Sequence, residues 1–125
     1  MVYWQRMERL TIYHNPVCGK SRGALEILRE RAVPHDVVEY LKQPLERATL
    51  ERILALLPDE PAALVRKDKR FAELGLDAAA YTTRAAVVDL LLAHPELMER
   101  PVVIRGERAV IARPSEKVLV LLDQP

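Results

Sequence analysis

Arg9-Leu10-Thr11-Ile12-Tyr13-His14-Asn15-Pro16-Val17-Cys18-Gly19-Lys20-Ser21-Arg22 runs from a strand pattern through a turn into a helix pattern. Arg9 to Tyr13 alternates polar and apolar residues and is rich in β-branched and aromatic side chains, so it reads as a strand. His14 to Gly19, with its proline and glycine, reads as a turn-rich loop. From Lys20 the apolar period changes: Ala24, Leu25, Ile27, Leu28 and Ala32 share one face of a helix. Pro34 stands just beyond, where a helix cannot continue. His35 to Tyr40, with Val37-Val38, reads as a second strand. Strand, helix, strand is a βαβ unit, which predicts parallel strands and a right-handed crossover.

Working outward, Leu50, Ile53, Leu54 and Leu57 repeat at helical spacing, and Pro58 ends that helix. Short helical pieces are expected over residues 60–65 and 68–74, with Gly75 as a C-cap. Thr82 or Thr83 caps a helix running through Val87, Val88, Leu91 and Leu92 and stopping near His94-Pro95. Val102-Val103-Ile104 and Ala109-Val110-Ile111 flank Arg105-Gly106-Glu107-Arg108, a hairpin signal. Pro114 opens a last helix. Val118 to Leu122 is apolar on every side and fits helix or strand. The order β-α-β, helical block, β-β-α predicts an α/β protein: a thioredoxin-like mixed four-stranded sheet with a helical insertion before the hairpin. One domain over residues 8–123 is expected, and Met7 is a candidate start because the residues before it add nothing to the strand.

The totals narrow the function classes. The 125 residues are 50% hydrophobic and 30% charged, which suits one soluble domain with a real core. Nineteen basic residues nearly cancel eighteen acidic ones, so nothing points to a nucleic-acid partner. The densest basic cluster, Arg66-Lys67-Asp68-Lys69-Arg70, reads as a solvated helix end, apart from Arg66, which returns below. No apolar run approaches the roughly 20 residues of a membrane span. Met1 to Arg6 has no signal-peptide core, so the cytoplasm is the default, with no membrane partner and a monomer. The single cysteine forbids an internal disulfide. Any redox cycle must therefore borrow a second thiol.

A lone cysteine is commonly a small buried hydrophobe. Cys18, however, sits in a loop just before a helix, where unpaired N–H groups and the macrodipole favour a thiolate. Free cysteine has a pKa of about 8.5, so only roughly a tenth is ionised at about pH 7.5. Bringing it down by about two units requires about 2.7 kcal/mol. A helix terminus supplies at most about 2 kcal/mol, so His14 or a nearby arginine must help. Other motifs fail. A P-loop ending in Gly19-Lys20-Ser21 would need its first glycine where His14 stands. A phosphatase-type loop would need arginine at position 24, which is Ala24, and Arg22 comes too early. One cysteine with His14, His35 and His94 scattered along the chain makes no zinc site. Cys18-Gly19-Lys20-Ser21 also resembles the monothiol glutaredoxin motif, a short match.

His14-Asn15-Pro16-Val17-Cys18-Gly19-Lys20-Ser21-Arg22 resembles the signature of the ArsC family of arsenate reductases, in the branch coupled to glutathione and glutaredoxin. Ala63-Leu64-Val65-Arg66-Lys67 resembles its second segment. His94-Pro95 followed by Glu99-Arg100-Pro101-Val102-Val103 resembles the third, and Arg113-Pro114-Ser115-Glu116 the fourth. The resemblance implies that Cys18 is the nucleophile and that Arg66, Arg100 and Arg113 hold the oxyanion. It also implies that Arg100-Pro101 is cis and that His14 helps ionise the thiol. Gly19 and Ser21, beside the thiol in the motif, join the substrate-binding set. Lys20 stands where some members have a small polar residue and makes the pocket more positive. The chain also ends soon after the last helix, without the tail of longer members.

The residues admit plainer readings. Arg66 and Arg100 stand near predicted helix ends, where arginine complements the dipole. Arg113 fits a surface residue, and His14 a loop or capping residue. Oxyanion chemistry nevertheless suits arginine, which stays charged and donates in a planar fork.

The resemblance implies an oxidoreductase with no bound cofactor or metal. Cys18 attacks arsenate, water leaves, glutathione serves as co-substrate, and glutaredoxin completes the reduction to arsenite, a detoxification that confers arsenic resistance. Two other functions share the fold. One is a transcriptional regulator resembling Spx, although that class carries a two-cysteine switch and Ser21 stands at the second position. The other is a monothiol glutathione-dependent thiol transferase, which has no use for three arginines.

Overall fold

The computed structural model describes residues 9–122. The Met7 start and both ends of the expected 8–123 domain lie outside these residues. By its internal contacts the chain divides into two compact units. One takes in the chain up to Glu39 and from Arg100 onward, and the other is Tyr40–Glu99.

The first unit is built on a sheet. β1 (Leu10–His14), β2 (His35–Glu39), β3 (Val102–Arg105) and β4 (Arg108–Ile111) lie in the order β2-β1-β3-β4. β1 and β2 are parallel, while β1 with β3 and β3 with β4 are antiparallel. This is the mixed four-stranded sheet expected from the element order. Residues alternate across a strand, so Leu10, Ile12 and His14 share one buried face of β1. Between β3 and β4, Gly106 has φ 60° at the first position of a two-residue turn, as a type II′ hairpin requires.

α1 (Gly19–Glu30) lays Ala24, Leu25 and Leu28 against Leu10, Ile12 and Val103. Ala112, Val118 and Leu121 complete that cluster. Ala32 departs from the expected apolar face. It lies past the helix end, exposed, with φ 53°. The Ala32 N–H donates to the Arg29 carbonyl at 3.1 Å and the Val33 N–H to the Leu28 carbonyl at 3.0 Å. These paired bonds form a Schellman motif, with alanine where glycine is usual. After the hairpin, Pro114 is the N-cap rather than the first helical residue. A 3-10 turn over Ser115–Val118 runs into α5 (Leu119–Leu122), which settles that segment as helical.

The second unit is helical. α2 (Arg47–Leu56) buries Leu50, Ile53 and Leu54, as its spacing predicts. A 3-10 turn covers Pro61–Leu64, and α3 (Lys69–Glu73) begins at Asp68, whose carboxylate accepts the Phe71 N–H at 3.2 Å. Gly75, φ 69°, follows its C-cap. α4 (Arg84–Ala93) is capped by Thr83, which accepts the Ala86 N–H at 3.2 Å. α4 buries Leu90 in addition to Val87, Val88 and Leu91, and leaves Leu92 about one-third exposed. Among the described residues no helix is long and apolar enough to cross a membrane.

Candidate active site

The loop before α1 is organised by Asn15, a buried residue that sequence patterning did not single out. Its side-chain oxygen accepts the Val17 N–H at 3.0 Å, an Asx-turn, and its carbonyl accepts the Cys18 N–H at 3.0 Å. The Arg22 guanidinium donates to the Pro16 carbonyl at 3.0 Å and ties the loop to α1. The turn delivers Cys18 to the N-cap of α1 in extended backbone, φ −94°, ψ 123°. No side chain caps this helix end. The positive N-terminal end of α1 therefore acts on the Cys18 sulfur through its field rather than through a capping bond.

The Cys18 thiol is half-buried, and burial works against its ionisation. That penalty is outweighed by donors. The Ser21 N–H, the Arg100 and Arg113 side chains and the Lys20 N–H all favour the thiolate, so the thiol titrates below its ordinary range. Arg113 Nη1 stands 3.6 Å from Sγ and also donates to the Arg100 carbonyl at 3.0 Å. Two of the three arginines therefore meet at Cys18. They flank the two cis peptide bonds, Arg100-Pro101 and Arg113-Pro114, of which only the first was expected.

His14 Nδ1 lies 2.6 Å from Ser21 Oγ, and both residues are buried. Burial lowers the His14 pKa; Glu39 opposes this, while Arg29 and Arg22 reinforce it. The ring is thus neutral at physiological pH. Ser21 Oγ also accepts the Asn15 N–H at 3.0 Å. The Ser21 side chain thus joins strand end, loop and helix. Gly19 opens α1 in the open: an added Cβ would meet only the Arg22 guanidinium, at 3.9 Å.

Arg66 belongs to the helical unit. An isolated antiparallel bridge pairs Val65 with Met98. The Arg66 N–H donates to the Leu97 carbonyl at 2.7 Å and the Glu99 N–H to the Leu64 carbonyl at 2.8 Å. This ladder sets Arg66 beside Glu99, with Nη1 to Oε1 3.1 Å and Nε to Asp68 Oδ2 3.3 Å. Burial alone would weaken its charge, but Asp68 and Glu99 more than compensate. Among the described residues no group of His, Cys, Asp and Glu is arranged to hold a metal.

The model of the ArsC family matches residues 13–121. An arsenate reductase of Escherichia coli strain K12 is 38% identical over 117 residues, covering 93% of this chain and 82% of that protein. The same organism's uncharacterized protein YfgD is also 38% identical over 117 residues, covering 92% of this chain and 98% of that one. Among solved structures, an arsenate reductase from Vibrio cholerae superposes with a TM-score of 0.81 at 32% identity, covering 92% of this chain and 98% of that one. The thioredoxin-like mixed sheet expected from the element order is thus the fold of this chain. With a family match across nearly the whole described length and relatives above one-third identity, the chain belongs to the ArsC family.

Proposed function

We propose that the protein is an arsenate reductase that uses Cys18 as nucleophile and takes its electrons from glutathione and glutaredoxin. The observation that carries this reading is the approach of Arg113 Nη1 to within 3.6 Å of Cys18 Sγ, beside a second donor, Arg100, in an ArsC-family chain. An ionised sulfur ringed by guanidinium donors suits attack on a tetrahedral oxyanion, because the same donors stabilise the charge on its oxygens.

Arg100 and Arg113 hold the arsenate. The N–H groups at Gly19 to Ser21 add the helix N-terminus, a ready anion site. His14 acts through Ser21, fixing the first turn of α1. The Cys18 thiolate forms an S–As bond and one arsenate oxygen departs as water, with arsenic still pentavalent. Glutathione condenses on arsenic and a second water leaves. A glutaredoxin thiolate then attacks the glutathione sulfur. The S–As electron pair stays on arsenic, which becomes trivalent, and a glutaredoxin–glutathione disulfide forms. Water releases arsenite and restores Cys18. The single cysteine supports external thiols over an internal disulfide, and this reading has the protein working as a monomer in the reducing cytoplasm.

The test is NADPH oxidation coupled through glutathione reductase, with glutathione, glutaredoxin and arsenate, comparing native protein with Cys18→Ser. Arsenate-dependent turnover that disappears in Cys18→Ser is the expected result. Folded native protein that stays silent with several glutaredoxins would remove the assignment. Each of Arg100→Ala and Arg113→Ala forfeits charge-assisted bonds of about 1.5–3 kcal/mol, or about 10–100-fold in kcat/KM. A thiol transferase has no oxyanion to hold, so its activity would fall in these variants only as far as the thiolate fraction falls.

A further inference from the structure

Ser115 is buried two residues beyond Arg113, on the 3-10 turn that packs on α1. Its hydroxyl donates to the Lys20 carbonyl at 2.7 Å. That carbonyl belongs to the Lys20–Ser21 peptide group in the first turn of α1, just after Cys18, where the positive helix end and the Ser21 N–H favour the thiolate. A hydrogen bond accepted by a peptide oxygen polarises the group and makes its N–H more positive. The approach is close because α1 has no side chain at Gly23. A Cβ there would stand 2.5 Å from Ser115 Oγ and 3.1 Å from Ser115 Cβ.

We propose that Ser115 is a positioning residue of the Cys18 site: its hydroxyl, seated over Gly23, holds and polarises the Lys20–Ser21 peptide and anchors the segment that carries Arg113. The relay runs from Ser115 O–H to the Lys20 carbonyl and, through that peptide, to the first turn of α1 at whose N-cap Cys18 stands. Gly23 is its steric counterpart. Ser115 touches neither sulfur nor substrate, so its influence passes entirely through Ser21 and Arg113. The inference rests on reading Cys18 as the working thiol.

The test is titration of Cys18 by ultraviolet thiolate absorbance, which needs no arsenate. Loss of the relay through Ser115→Ala should lower the thiol ionisation constant about threefold, since cooperative strengthening is a fraction of one bond. Gly23→Ala, which forces the hydroxyl aside, should act in the same direction. The double variant should be no worse than Ser115→Ala alone, because both changes break one contact. A folded Ser115→Ala protein with the native ionisation constant would overturn the proposal. If that variant does not fold, native protein answers by NMR. The Ser115 hydroxyl proton should shift along the Cys18 titration curve, and a resonance that ignores that titration would overturn the proposal equally. A native thiol titration without arsenate turnover would sink the reductase reading alone.

Discussion

Ser21 shows how much of this site rests on one small side chain. Its hydroxyl serves His14 Nδ1 at 2.6 Å and the Asn15 N–H at 3.0 Å, with all three residues buried. Ser21→Ala strands both groups away from water, which costs about 1–3 kcal/mol. Urea denaturation should show this as a lower midpoint with an unchanged slope. His14 predicts a pH effect of definite sign. Burial, the largest cause, lowers its pKa in the folded protein. Below its unfolded value of about 6.5, the unfolded chain takes up a proton that the folded chain refuses. Stability therefore falls as pH drops from that value to the lowered folded pKa, and His14 contributes no further loss below it. His14→Gln should flatten this part of the profile when denaturation midpoints are compared across mildly acidic pH. Cys18 was legible at this scale because a cysteine before a helix has a physical meaning. Asn15 and Ser115 were not, since their roles depend on partners that local patterning does not reveal.

At the scale of elements, α1 carries a correctable strain. Ala32 holds φ 53° at the left-handed position of a Schellman motif. A Cβ there costs roughly 1–2 kcal/mol, offset in part by the chain entropy that glycine adds to the unfolded state. Ala32→Gly should therefore stabilise the protein by up to about 1 kcal/mol, read as a raised melting temperature with the Cys18 titration unmoved. Leu28, fully buried in the α1 cluster, points the other way. Leu28→Ala should cost about 2–5 kcal/mol in denaturant unfolding. The βαβ start and the hairpin were legible because their periods are clean and their turns contain proline or glycine. α4 was only partly so: Val87, Val88, Leu90, Leu91 and Leu92 surround much of the helix, and hydropathy alone cannot choose which of them faces inward. The last segment was ambiguous for the same reason, and the packing of Val118 and Leu121 beside Leu25 and Leu28 resolves it.

For the whole molecule, the two compact units divide the charged groups. The groups that set the Cys18 ionisation, namely Ser21, Arg100, Arg113 and Lys20, all belong to the sheet unit. Arg66, with Asp68 and Glu99, belongs to the helical unit. Arg66→Ala should therefore leave the thiol titration native, whereas Arg113→Ala should disturb it. A near-neutral net charge hides this arrangement, because nineteen basic and eighteen acidic residues say nothing of where three arginines lie. The order of motifs along the chain was the stronger signal, and the match over residues 13–121 bears out the family.

Reduction of arsenate while it is bound to Cys18 is read at the product. Arsenite should be separated chromatographically and counted against NADPH consumed, for native protein and for Cys18→Ser, with and without phosphate. One arsenite per NADPH is expected, with none above background from Cys18→Ser and competition by phosphate, which has the same shape and charge. NADPH oxidation without arsenite, or equal arsenite from Cys18→Ser, would contradict it.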